Sequence, residues 1–191
     1  MSSILLAPPA AEPVTLADAK AYLRIAHSDD DAVIAALIAG ARSHVEAQTR
    51  RALITQTWRL IRDAWPPDGR IAVVPVPLRS VVAARVYDAG GATHAVDTGA
   101  FVADKSAAPA VLALAPGTLT APGRAAAGIE IDIEVGYGAA PANVPETLRQ
   151  ALLLLVAHWY ENRGLIAIGR SVAMLPLPIA ALIAPYRVLS L

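Results

Sequence analysis

Cysteine is absent from all 191 residues. That excludes disulfides, thiolate zinc sites, iron–sulfur clusters and cysteine nucleophiles, and it fits a reducing compartment. An excess of either charge is also missing: Lys plus Arg and Asp plus Glu each number 16, so no global field draws in nucleic acid or an anionic membrane. Lysine is nearly missing, with only Lys20 and Lys105, and basic residues never cluster beyond Arg50-Arg51. No basic n-region precedes Lys20, so the N-terminus does not read as a secretory signal. No clean membrane-length run exists either. Leu148 to Tyr160 is shorter than the ~20 residues a bilayer requires. Residues 171–191 are long enough but are interrupted by Pro176, Pro178 and Pro185 and charged at Arg187. This apolar, proline-broken end reads as a packed or partner-bound tail.

What is present has two periodicities. Residues 1–13 read as a loose, flexible arm. Thr15 and Asp18 have the spacing of a capping box opening the helix TLADAKAYLRI. A second helix follows from Ser28 or Asp29 as cap, with Asp30 and Asp31 in its first turn, where the macrodipole favours acids. Its apolar residues Ile34, Leu37, Ile38, Ala41 and Val45 repeat at three and four. From residue 55 to 136 the pattern changes to strands and turns. Trp58 and Leu60 alternate with Arg59 and Ile61, and WPPDG is a turn signal. Pro75 and Pro77 mark a strand border or edge, and DAGG reads as a hairpin turn into THAVD. In IEIDIEV, Ile129, Ile131, Ile133 and Val135 face one way and Glu130, Asp132 and Glu134 the other. The latter read as the solvated face of a sheet buried on one side. PETLRQALLLLVAHWYENRG then reads as a long helix with Pro145 at its first position and Gly164 as its stop. A short helix over 178–186 closes the chain. The expected fold is α+β: a single domain over 14–191, a helical bundle with an inserted antiparallel sheet over 55–136 and an apolar tail over 171–191.

The stretch HWYENRG, residues 158–164, looks most like chemistry, because His158 and Glu161 share a helix face. Zinc requires three or four ligands, and Asn162 stands where a second histidine would complete H-x-x-E-H. H-E-x-x-H, G-x-S-x-G, G-x-G-x-x-G and a P-loop are all absent from the sequence. The expectation is no catalytic residue, no metal and no cofactor, with Glu161 and Arg163 in a charge network.

VTLADAKAYLRI with DDDAVI, ARSHVEAQTRRALITQTW, PVPLRSVVAARVYDAGG, and VPETLRQALLLLVAHWYENRG with LPLPIAALIAPYRV occur in that order from Val14 to Val188. In this order the chain resembles the head–tail connector (adaptor) family of tailed phages and gene transfer agents. The loop between Phe101 and Gly128 is outside the likeness. The resemblance implies a non-enzymatic virion subunit, typically in twelve copies, that forms a ring beneath the portal. Such a ring continues the DNA channel without binding DNA specifically and offers a docking surface to a tail-side connector or stopper protein. It implies no membrane association, and assembly in the bacterial cytoplasm. On this reading the tail (Ile179, Leu182, Ile183, Tyr186, Arg187 and Val188) is a partner interface, and deleting residues 176–191 leaves a folded protein that cannot join heads to tails. The alternative is that the tail packs on the long helix of its own subunit. Glu130, Asp132 and Glu134 could face the channel, where negative charge would repel phosphates. Two other readings stay open: a tail-completion or terminator protein, and a small enzyme or ligand-binding α+β domain.

Overall fold

The structure, a computed structural model, describes residues 2–114, 119–162, 166–167, 170–171 and 175–189. It has the α+β composition that the two periodicities require. The chain divides into a β unit (Met1–Ala10, Thr55–Tyr137 and Val188–Leu191) and a helical unit (Ala11–Ile54 and Gly138–Arg187).

In the β unit the strands are β1 (Ser2–Ala7), β2 (Gln56–Arg62), β3 (Arg70–Val73), β4 (Leu78–Tyr87), β5 (Thr93–Val96), β6 (Val102–Asp104), β7 (Ala110–Ala113) and β8 (Ile129–Val135). Five form an antiparallel sheet in the order β1-β2-β8-β4-β5, and three form a second sheet in the order β3-β7-β6. β8 lies between β2 and β4, with Ile131 opposite Leu60 on one side and Ala84 on the other. The apolar row of β8 is fully buried. Pro75 and Pro77 fall between β3 and β4, where no ladder asks for their missing N–H groups.

The N-terminus departs from expectation. Residues 2–7 are not a loose arm; they pair with β2 as an edge strand, Ile4 opposite Arg59 and Leu5 opposite Trp58. All six side chains are exposed, so neither face had to be apolar and no alternation marked a strand.

In the helical unit α1 (Leu16–Leu23) begins with the expected capping box: Thr15 Oγ1 accepts the Asp18 N–H at 3.0 Å, and Asp18 Oδ2 accepts the Thr15 N–H at 3.4 Å. α2 (Asp31–Thr49) buries Ile34, Ile38, Ala41 and Val45 along one stripe. Its start differs from the sequence reading. Asp30 flanks the helix without a side-chain cap bond and accepts the hydroxyl of Tyr160 instead, while Asp31 accepts Lys20 Nζ at 2.6 Å. α3 (Glu146–Glu161) starts one residue after Pro145 and buries Leu148, Ala151, Leu152, Leu155 and Val156. A two-residue pair, β9 (Ile166–Ala167) and β10 (Arg170–Ser171), precedes α4 (Leu177–Ile183) and a single 3₁₀ turn over Ala184–Tyr186. α3 packs against α1, α2 and α4 and is the centre of this unit.

Candidate functional site

The described part of HWYENRG, His158 to Asn162, forms the end of α3. His158 lies in the last turn of α3, where its carbonyl accepts both the backbone N–H (3.2 Å) and the side-chain amide (2.8 Å) of Asn162. The Trp159 ring meets His44 edge-on at 5.8 Å. Asn162 therefore ends the described helix; Arg163 and Gly164 lie outside the described residues. Among the described residues no three of His, Asp and Glu are grouped so as to hold a metal ion. Likewise, no described helix is long and apolar enough to cross a membrane.

The tail is only partly available to a partner. Ile179, Ile183 and Val188 are at most 5 % exposed, and α4 packs on α3. The partner role expected of Ile179, Ile183 and Val188 would thus draw on side chains that the subunit itself covers. An apolar i, i+4 stripe meets an apolar helix of its own unit first, since that contact is already present without a partner. Leu182 and Tyr186 are half-buried and Arg187 is exposed. Two arginines hold the end of the tail in place: Arg51 Nε donates to the Tyr186 carbonyl at 2.6 Å, and Arg187 Nη2 donates to Gln48 Oε1 at 2.9 Å.

The carboxylate row of β8 is likewise not a bare solvated face. Arg59 of β2 stands opposite Asp132 and grips it with two bonds, Nε to Oδ1 at 2.6 Å and Nη2 to Oδ2 at 2.9 Å. Arg85 of β4 donates to the same carboxylate from the other side. Glu130 Oε2 lies 3.1 Å from Arg59 and 3.5 Å from Arg85, near enough for charge attraction but off the line of a hydrogen bond. Arg79 Nε donates to Glu134 Oε1 at 2.9 Å. Three arginines thus meet three carboxylates, and the row is neutral. The hydrogen bond to Asp132 raises the Arg59 pKa further above its usual value, against the opposing effect of burial. Sequence reasoning missed these arginines. The available signal was Arg59, alternating with Trp58 and Leu60 on the polar side of its strand.

Beside this ladder, Pro77, Leu78, Arg79, Lys105, Gly136 and Tyr137 line a broad depression of about 410 Å³. Its cations are engaged, Lys105 with the Arg79 carbonyl and Arg79 with Glu134. Residues 13–83 and 123–187 match the family of phage gp6-like head-tail connector proteins. The chain belongs to that family. A comparison with curated proteins finds no match. Among solved structures, the connector is similar to a chain in the neck of an empty GTA particle computed with C6 symmetry. That likeness has 26 % identity and a TM-score of 0.85, covering 100 % of this chain and 97 % of the other. A chain of the virion of a native gene transfer agent (GTA) particle matches at 25 % identity and a TM-score of 0.82, with the same coverage of each chain. A chain in the neck of a native GTA particle computed with C12 symmetry matches at 26 % and 0.80, again over 100 % and 97 %. The connector is therefore a structural head–tail adaptor of a phage-like particle. The family match omits residues 84–122, which hold β5, β6 and β7.

Proposed function

We propose that this connector acts without catalysis, as one of twelve copies in a closed ring beneath the portal of a phage-like particle. The ring continues the DNA channel and presents a docking surface to a tail-side connector or stopper protein. Copies are made and assembled in the bacterial cytoplasm. The observation that carries this reading is the likeness of the entire chain to subunits of particle necks computed with sixfold and twelvefold symmetry. Closed symmetry requires each copy to offer two different, complementary surfaces. Leu182, Tyr186 and Arg187 remain the candidate partner residues of the tail. Glu130, Asp132 and Glu134 are proposed to line the channel in altered form: with Arg59, Arg79 and Arg85 they make a neutral wall, which neither holds nor repels phosphate. Reconstruction of native particles tests the proposal. Twelve copies at the head–tail junction are expected, and a single copy or a location elsewhere would overturn it.

A further inference from the structure

Two faces of the helical unit carry apolar side chains outward with no charge among them. On α2, Ala32, Val33, Ala35 and Ala36 are exposed between Asp31 and Arg42. Ala35 also lines a groove of about 220 Å³ with Ala11, Glu12, Val14, Leu16 and Pro141. On α4 the side turned away from α3 exposes Leu177, Pro178, Ala181 and, in the following turn, Ala184 and Pro185; Leu177 is 85 % exposed. A side chain of that size left in water forfeits the stabilisation that burying its apolar surface would bring.

The two faces differ in the charges around them. Near the groove, Glu12 is bonded to Arg42 at 2.8 Å, Glu146 to Arg149 at 2.9 Å, and Asp18 lies 3.9 Å from Arg149. These three carboxylates are 33 %, 77 % and 48 % exposed for Glu12, Glu146 and Asp18, while Arg42 and Arg149 are only 14 % and 25 % exposed. The rim therefore shows negative charge to a neighbour. Burial alone would lower the Arg42 pKa, but the bond to Glu12 and the charges of Glu46 and Glu12 prevail and raise it, so the cation stays fixed beneath. Around the end of α4 the sign is reversed. Arg51 and Arg187 bond a carbonyl and an amide rather than a carboxylate.

We infer that the outer face of α4 on one copy docks into the α1–α2 groove of the next, with Arg51 and Arg187 over the rim of Glu12, Asp18 and Glu146. The occupant is a second copy of this chain because both halves of the match lie on one unit, apolar against apolar and basic against acidic. The two halves are also separate surfaces. α2 runs about 15 Å from Ile38, at the groove, to Gln48, which holds Arg187. Two different complementary patches on each copy generate a head-to-tail contact, which closes as a ring when the rotation allows. This inference rests on the ring reading above.

The absence of cysteine supplies the test. Ala35→Cys and Leu177→Cys, singly and together, are introduced into the full chain in purified particles and treated with a short bis-maleimide. The double variant is expected to lose its monomer band to a ladder that ends at the copy number of the ring. Each single variant is expected to stay monomeric, because position 35 meets 177 and not itself. A second pair, Val33→Cys with Ala181→Cys, covers a misfit of the first. Rings of native copy number with no ladder from either pair would overturn the docking and leave the ring standing. A dimer from either single variant would also overturn it, since that contact is self-paired. Particles in which the wild-type neck contains no ring of this chain would remove both proposals together.

Discussion

Asp132 receives three N–H donors from two arginines on two different strands and keeps only 9 % of its side chain exposed. Removing one member of a buried pair strands the others, which costs about 3–5 kcal/mol when all are fully buried. Here the arginines are 20 % and 29 % exposed, so water recovers part of that. Asp132→Ala should therefore cost about 2 kcal/mol in urea unfolding. Glu134→Ala, whose partner Arg79 is 43 % exposed, should cost under about 1 kcal/mol. Equal costs would mean that the buried centre of the ladder is worth no more than its exposed end. Asp88 supplies a pH prediction. The His94 imidazole at 3.0 Å, and then the Ala92 N–H, hold its carboxyl below the usual carboxylate range. A depressed pKa in the folded state gives a contribution that is complete above the unfolded value of about 3.9 and fades as pH falls through the lower folded value. An NMR titration should find Asp88 below that value in the wild type, and closer to it in His94→Ala.

Burial of α4 decides what loss of the tail does. Ile183 is fully buried and Ile179 nearly so, on the helix that packs against α3. Ile183→Ala should cost roughly 2–4 kcal/mol by lost burial plus the cavity left behind. Deleting residues 176–191 should then destabilise the helical unit rather than yield a folded, docking-deficient protein. A truncated protein with an unchanged melting temperature would contradict this. The same element shows what a sequence can and cannot disclose. Its apolar spacing at 179, 182, 183 and 186 was legible, but the identity of the surface it covers was not, because one stripe suits an internal helix and a partner groove equally well. α2 and α3 were legible because each buries one stripe along its own length, and α1 through its capping box. β8 was legible through strict alternation, whereas its counter-ions were not. Arg59 and Arg85 sit 73 and 47 positions before Asp132 and are brought to it only by strand order and register. β1 left no trace at all, since an exposed edge strand needs no apolar face.

At the scale of the whole molecule, sixteen cations and sixteen anions cancel, and along the carboxylate row of β8 they also cancel locally, side chain against side chain. A conduit benefits from that local balance. Each phosphate neutralised by a fixed cation releases counterions, and binding then weakens with salt at a slope of about −0.9 per phosphate for duplex DNA. A twelvefold ring with unmasked arginines would multiply that attraction and hold DNA in transit. The Glu130→Gln, Glu134→Gln double variant removes two of the three carboxylates and leaves the arginines in place. With these residues lining the channel, particles carrying it should release DNA more slowly than wild-type particles at low ionic strength. The difference should vanish at high salt, where charges separated by more than ~3 Å are screened. Wild-type release should be nearly insensitive to salt. Release from the variant at the wild-type rate under all salt conditions, with the ring intact, would place the ladder away from the DNA path and leave it a stabilising device of the sheet.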